Sequence, residues 1–229
     1  MREIYYFCIK INAMDVPFVN LHTHHPAGEA LTLCSSGIHP WWLDDPGYDW
    51  EQSLEALERQ LREGTLEAIG EAGLDKMHPD TLPLQQKVFE RQILLSEQYG
   101  KPLVIHCVRA NDALLTLWKR HRPRQAWILH GFNGTKETAE QLIGKGFYLS
   151  VGAALLFKNR KITESIQYIP LDRLFFETDE ATCGIETVYA EAARLLSIPM
   201  EVLKERILAN YVRLSKKGGS AIDPPFGST

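Results

Sequence analysis

The chain has 229 residues, 45% of them hydrophobic and 24% charged, with a formal net charge of −4. That length allows a sizeable buried core, in one large domain or two small ones. The acidic balance excludes a generally basic nucleic-acid coat, so a polyanionic ligand would have to be held by local charge or by metal.

The first eleven residues, MREIYYFCIKI, are apolar but too short and without a small-residue cleavage site, so they do not read as a signal peptide. Met14 is followed at once by DVPFVNLHTHH, and residues 1–13 are read as a peripheral extension or a misplaced start. From there one pattern recurs: a short β-rich apolar run, a polar or Gly-containing junction, then a segment of helical period. The predicted strands are Phe18–Leu21, Leu31–Ser35, Glu67–Gly70, Leu103–His106, Ala126–His130, Phe147–Val151 and Leu174–Glu177. Most are continuously apolar, as parallel strands buried on both faces must be.

The predicted helices lie between and after them. Trp50–Arg62 carries Leu54, Leu57 and Leu61 at helical spacing, and Leu84–Tyr99 carries Val88, Ile93, Leu94 and Leu95. Ala113–Arg120, Lys136–Gly144, Lys161–Tyr168, Glu186–Leu196 and Met200–Ser215 follow. Residues 1–217 are expected to form one domain, and the Gly-, Ser- and Pro-rich 218–229 a disordered tail. The scattered Cys8, Cys34, Cys107 and Cys183 form no CxxC pair and are expected as reduced thiols. No apolar run approaches the roughly 20 residues that span a bilayer. The expectation is a cytoplasmic protein with no membrane contact and no evident protein partner.

Alternating strands and helices give an α/β fold with a parallel sheet, either open or closed. His22, His24, His39, Glu71, His106, His130 and Asp179 each fall at or just past the end of a strand candidate. A barrel brings every such end to one mouth, so the expected fold is a TIM-type (β/α) barrel with seven evident strands.

His22 and His24, two apart in extended backbone, point to the same side and can reach one metal. By itself HxH is weak, since histidines also cluster by chance. Glu71 in GEAGLD follows a buried run and needs a counter-charge, whether a metal or a basic side chain. His106 ends LVIH and His130 ends WILH; either alone could be a hydrogen-bonded core histidine. Asp179 closes LFFETD, with Glu177 on the same side of the strand. His39, in GIHPWW, is read either as a mouth residue contacting substrate or donating a proton, or as a loop-fixing side chain. Trp41 and Trp42 could stack a base or sugar, or form a hydrophobic lid. The basic LWKRHRPRQ at Leu117–Gln125 precedes a strand and is read as a solvated helix end.

The segments NLHTHH, GIHPWW, GEAGLD, QQKVFERQILLSEQYGKPLVIH, HGFNG, YLSVGAALL, PLDRLFFETDE and ILANYVRL, in this order, resemble the TatD family of metal-dependent hydrolases, relatives of the amidohydrolase superfamily. The resemblance implies a (β/α) barrel, deoxyribonuclease or related phosphodiesterase activity, and two divalent ions. It places the metal-binding positions on His22, His24, Glu71, His106, His130 and Asp179. Mixed His/carboxylate ligation suits Zn, Mn or Fe, with Mg tolerated beside phosphate oxygens. In the implied arrangement His22, His24 and Asp179 hold one ion, His106 and His130 the other, and Glu71 bridges them; Asp179 also accepts the proton of the attacking water. The chain departs from the family in three places. It lacks a strand–helix unit between HxH and GIHP, which makes it a shortened member whose barrel is expected to be incomplete or irregular. The arginine after His106, a phosphate contact in the family pattern, falls one residue late at Arg109. Glu180-Ala181 replaces the usual Ala-Pro after ETD. The expected partner is DNA or a small phosphodiester; the alternatives are hydrolysis of a small amide or lactone on the same centre, or metal binding without catalysis.

Overall fold

In the computed structural model, which describes residues 16–25, 28–157 and 160–216, six parallel strands form one sheet. They are β1 (Ser35–Ser36), β2 (Ala68–Asp75), β3 (Leu103–Val108), β4 (Trp127–Leu129), β5 (Tyr148–Val151) and β6 (Leu174–Phe176). Each pairs with the next in sequence, so the spatial order is the chain order. An open doubly wound sheet reverses its order at a switch point, and this one does not. Helices α1 (Trp50–Glu63), α2 (Leu82–Tyr99), α3 (Asn111–His121), α4 (Lys136–Ile143), α5 (Arg160–Ser165), α6 (Ile185–Leu196) and α7 (Met200–Lys216) complete the alternation.

The regular ladder stops at β1 and β6, and residues 18–24 span the two edges. On one side Leu21 N–H donates to the Phe176 carbonyl (2.8 Å), Asp179 N–H to His22 (3.1 Å) and His24 N–H to Asp179 (3.1 Å). On the other, Asn20 N–H donates to Leu31 (2.9 Å) and Leu31 N–H to Phe18 (2.8 Å). Both contacts are parallel bridges, Thr23 with Asp179 and Val19 with Leu31. Leu31 then leads into β1, so this segment is the seventh stave of the wall. The expected strands 18–21 and 31–35 are thus present as isolated bridges and the two-residue β1. So short a parallel crossover, far below the usual helix-containing length, leaves room for little more pairing.

Side-chain bonds reinforce the closure. Asn20 Nδ2 donates to Thr178 Oγ1 (2.9 Å) and Asn20 Oδ1 accepts from Thr178 N–H (3.0 Å). The Thr178 hydroxyl donates on to Thr23 Oγ1 (2.9 Å). From α6, the buried Tyr189 hydroxyl donates to the Val19 carbonyl at 2.9 Å.

Two strands overrun their predicted ends. β2 continues from Gly70 to Asp75 and β3 from His106 to Val108. The glycines that looked like a junction are what allow it: a Cβ on Gly73 would lie 1.9 Å from the His106 carbonyl oxygen. The pairing jumps from Ile69–Leu103 to Ala72–Ile105, one extra residue on β2, so Glu71 sits in a β-bulge. Bulges re-aim side chains beside functional sites.

β4, β5 and β6 are buried throughout, β2 and β3 over most of their length, and β1 only in part. Helix α1 begins on the Asp49 cap and stops at Gly64 in left-handed backbone (φ 73°); it buries Leu54, Leu57 and Leu61 as predicted. On α2 the buried face is Val88, Phe89 and Ile93, whereas Leu94 points outward. Gln85 and Gln92, seven residues and two turns apart, share that buried face. Gln92 accepts from Ile38 N–H (2.7 Å) and donates to the Ile38 carbonyl (3.2 Å). Gln85 does the same for Asp75, at 2.8 and 3.2 Å. The basic segment forms the last turn of α3 and the loop after it, where Arg120 pairs with Glu90 and Arg124 with Glu97 on α2. Cys34, Cys107 and Cys183 are free thiols. Cys8, residues 1–13 and the tail 218–229 lie outside the described residues. No helix among the described residues is long and apolar enough to cross a membrane.

Candidate metal centre

Glu71 is the hub. Its Oε1 lies 2.7 Å from His22 Nε2 and 3.0 Å from His24 Nε2. Its Oε2 lies 2.8 Å from His130 Nε2, 3.5 Å from His39 Nε2 and 3.7 Å from His106 Nδ1. The carboxylate therefore turns one oxygen to each of two groups of imidazoles. Asp179 Oδ1 stands 3.7 and 3.6 Å from the ring nitrogens of His22 and His24. Asp179 adopts left-handed backbone (φ 53°), uncommon outside glycine and favoured at functional sites. Its amide and carbonyl are bonded to the backbone of His22 and His24, which fixes HxH and ETD against one another.

The proton positions follow from which partners can only donate or only accept. Asp75 Oδ2 lies 3.1 Å from His106 Nε2, and a carboxylate only accepts, so His106 carries its proton there and turns the Nδ1 lone pair to Glu71. His130 has a carboxylate on each side, Glu71 Oε2 at 2.8 Å from Nε2 and Glu177 Oε1 at 3.5 Å from Nδ1. A backbone amide only donates, so the bond from Trp41 N–H to His39 Nδ1 (3.2 Å) makes His39 an Nε2–H donor. His39 thus offers the cluster a proton rather than a lone pair.

The electrostatics follow from the crowding. Burial works against the Glu71 charge, yet the imidazoles of His106, His130 and His22 hold the carboxyl far below the usual range. Burial likewise opposes the charge of His130, while Glu177 and Glu71 raise its pKa to about 10. Burial and then the His106 charge lower His39 to about 4, so it is neutral at pH 7. Burial raises Asp179. Without another cation, a proton on His130 must separate its nitrogen from Glu71. A metal ion replaces such a proton.

The donor set fits divalent ions. Two nitrogens each about 2.0–2.1 Å from one ion lie roughly 2.8–3.4 Å apart at octahedral to tetrahedral angles, and His22 and His24 Nε2 are 3.3 Å apart. His22, His24, Glu71 and Asp179 form one group able to hold a cation, and His39, Glu71 and His106 another. The proton on His39 Nε2 disfavours it as a ligand, and His130, at 2.8 Å from the same carboxylate oxygen, fits better.

The wall therefore gathers all six predicted metal positions, and His39 with them. Arg109 directly follows the C-terminal end of β3, is exposed in left-handed backbone (φ 52°) and forms no ion pair among the described residues. Glu180 stands at the rim, 3.9 Å from His24. Two supporting residues were missed. Asp75 lies beyond the predicted strand Glu67–Gly70 and was given no role, and Trp41, treated only as a stacking or lid residue, also donates from its indole Nε1 to Asp75 Oδ2 at 2.7 Å. Only the GEAGLD spacing hinted at Asp75, four residues after Glu71. Glu177, considered beside Asp179, is fully buried; its Oε1 accepts from Gly131 N–H (2.5 Å) and faces His130.

A family model described as TatD related DNase matches residues 20–216. The chain is 33% identical over 177 residues to YcfH of Escherichia coli K12, an uncharacterized metal-dependent hydrolase, covering 76% of this chain and 64% of that protein. It is 33% identical over 152 residues to the 3'-5' ssDNA/RNA exonuclease TatD of Edwardsiella piscicida, covering 63% of this chain and 56% of that one. The chain thus spans less than two thirds of either relative. Among solved structures it is similar to YjjV, a TatD homolog from Escherichia coli K12, with TM-score 0.71, 27% identity and coverage of 80% and 76%. It shares its fold with a TatD family hydrolase from Entamoeba histolytica, at TM-score 0.65, 18% identity and coverage of 81% and 75%.

Proposed function

Because this chain belongs to the TatD-related DNase family, we propose that it is a metal-dependent hydrolase of phosphodiester bonds, a TatD-like deoxyribonuclease acting in the cytoplasm as one domain over residues 1–217. The observation that carries this reading is Glu71, with Oε1 against His22 and His24 and Oε2 against His130. In this proposal His22, His24 and Asp179 would hold one divalent ion, His106 Nδ1 and His130 Nε2 the other, and Glu71 would bridge them. Zn, Mn, Fe or Mg all suit such a donor set. When bound, the ions supply a water of lowered pKa and stabilise the oxygens of an in-line displacement.

The protein's own groups divide the remaining work. Asp179, beside both histidines of HxH, is placed to take the proton of the attacking water. His39 is neutral and directs Nε2–H into the mouth, where it can donate to a phosphate oxygen or a leaving group. Asp75 and Glu177 hold the rings of His106 and His130 in orientation.

One observation favours a second reading, hydrolysis of a small phosphodiester, amide or lactone on the same centre. The ion pairs of Glu71, Asp75, Asp179 and Glu180 among the described residues are all with histidine, and Glu180 adds negative charge at the rim. Metal-loaded protein should be assayed against single-stranded DNA and a panel of small phosphodiesters, esters and amides. Release of nucleotides that stops on chelation is the expected result. Turnover of amides or lactones alone would overturn the nuclease reading.

A further inference from the structure

The indole of Trp41 belongs to the centre by its bonds and to the solvent by its surface. Its Nε1 donates to Asp75 Oδ2 at 2.7 Å, and the same oxygen faces His106 Nε2 at 3.1 Å. Asp75 is itself 1% exposed and held through Oδ1 by Met77 N–H (2.8 Å), so the indole hangs on a fixed anchor. Its ring centroid lies 4.8 Å from that of His39 and 5.7 Å from that of His106. Despite these contacts Trp41 is 53% exposed. An exposed tryptophan held rigid next to a catalytic centre has already lost the side-chain freedom that a flexible one would lose on binding.

We propose that Trp41 is the specificity-determining residue of the mouth: a preorganised platform on which an unpaired nucleobase stacks, so that the substrate is recognised by its base more than by the charge of its backbone. The claim rests on the phosphodiesterase reading for its chemistry, and names what that reading leaves open. Among the described residues the carboxylates Glu71, Asp75, Asp179 and Glu180 form ion pairs only with histidines, so none draws a lysine or arginine into the cluster to hold the substrate backbone. An aromatic face meets any base without needing charge. Trp42, also half exposed, packs against Tyr48 at 5.8 Å and lies 6.4 Å from His39, but its indole forms no hydrogen bond with the cluster among the described residues, which singles out Trp41.

The anchor gives Trp41 a second, separable effect. Loss of the indole N–H leaves Asp75 Oδ2 with His106 alone and loosens the orientation of that ring. A ring without the N–H should therefore keep base recognition and disturb the centre, whereas removal of the ring should abolish both.

The test is binding to metal-loaded protein of a trinucleotide with phosphorothioate linkages and of the same backbone without bases, at about 50 and about 200 mM salt. Wild type should prefer the base-bearing ligand, with a shallow salt dependence. Relative to Trp41→Phe, which shares the loss of the indole N–H, Trp41→Leu should weaken the base-bearing ligand by about 5–150-fold, the range of one base–aromatic stack, and leave the abasic ligand within about twofold. Trp41→Phe should hold base affinity within a few-fold while lowering kcat or the occupancy of the His106 ion. Trp42→Leu should match wild type. Equal losses for both ligands in Trp41→Leu, no change in either, or no preference for bases in wild type would overturn the proposal. Base-selective binding without any phosphodiester cleavage would leave the platform standing and remove the nuclease reading instead.

Discussion

At the residue scale, the centre depends as much on carboxylates that touch no substrate as on those that do. Asp75 is buried and bound on one oxygen by both the His106 ring and the Trp41 indole. Carboxylates in this position set the tautomer and basicity of a ligating imidazole, and their loss typically costs 10–100-fold in metal affinity or activity. Asp75→Asn should therefore weaken one ion of the pair by about that factor and spare the one beside HxH, as read by metal titration. Asp179→Asn should lower kcat by about 10²–10⁴-fold, the range for removing a positioned base, with the thermal unfolding curve of the apo form little changed. The clustering of the six candidate ligands was legible because each follows a strongly apolar strand, where a lone polar residue stands out. Asp75 was not, because the register of β2 past its glycines depends on the close approach of β3, a tertiary fact. The proton on His39 Nε2 was equally hidden, since it is set by the Trp41 backbone amide in the following turn.

Elements position these residues through a few polar staples. Gln92 and Gln85 on α2 grip the backbone of Ile38, next to His39, and of Asp75. Both side chains are almost completely buried, and both would be taken from sequence as the polar face of a helix. Gln92→Leu removes both partners of the Ile38 peptide groups and should cost about 1–3 kcal/mol per group left unpaired, measured by urea unfolding. An unchanged midpoint would show that water replaces the staple. Gly73→Ala should be worse than an ordinary Gly→Ala change, because its φ of 153° and a Cβ at 1.9 Å from the His106 carbonyl oxygen force β2 and β3 apart. Its signature should be joint loss of stability and of metal affinity. Helix limits were legible to within a few residues, for the caps and the 3.6-residue period are local. The outward turn of Leu94 was not, since a run of apolar residues on one helix does not say which of them the sheet selects.

For the whole molecule, the centre lies where the two edges of the sheet are joined. Ligand candidates come from residues 22–24, from β2 and β3, from the end of β4 and from the turn after β6. The closing segment holds only single bridges and side-chain bonds to Thr178 and Tyr189. An ion shared by His22, His24, Glu71 and Asp179 would therefore tie the first stave to the last. Ligand bound at about 100 times its Kd adds about 2.7 kcal/mol to stability, so chelation should lower Tm by several degrees and readdition should restore it. The barrel was legible from the alternation of elements and the shared placement of polar strand ends. The irregularity at residues 18–24 was legible only in outline, from the missing strand–helix unit after HxH; which residues lose regular pairing depends on the path of the short crossover. The most direct test is the metal content and nuclease activity of purified protein, wild type against Glu71→Gln, after reconstitution with Zn, Mn or Mg. The account predicts two ions bound per wild-type chain with DNA hydrolysis, and loss of at least one ion together with that activity in Glu71→Gln. Wild type that binds no ion, or a Glu71→Gln variant that keeps both ions and full activity, would contradict it.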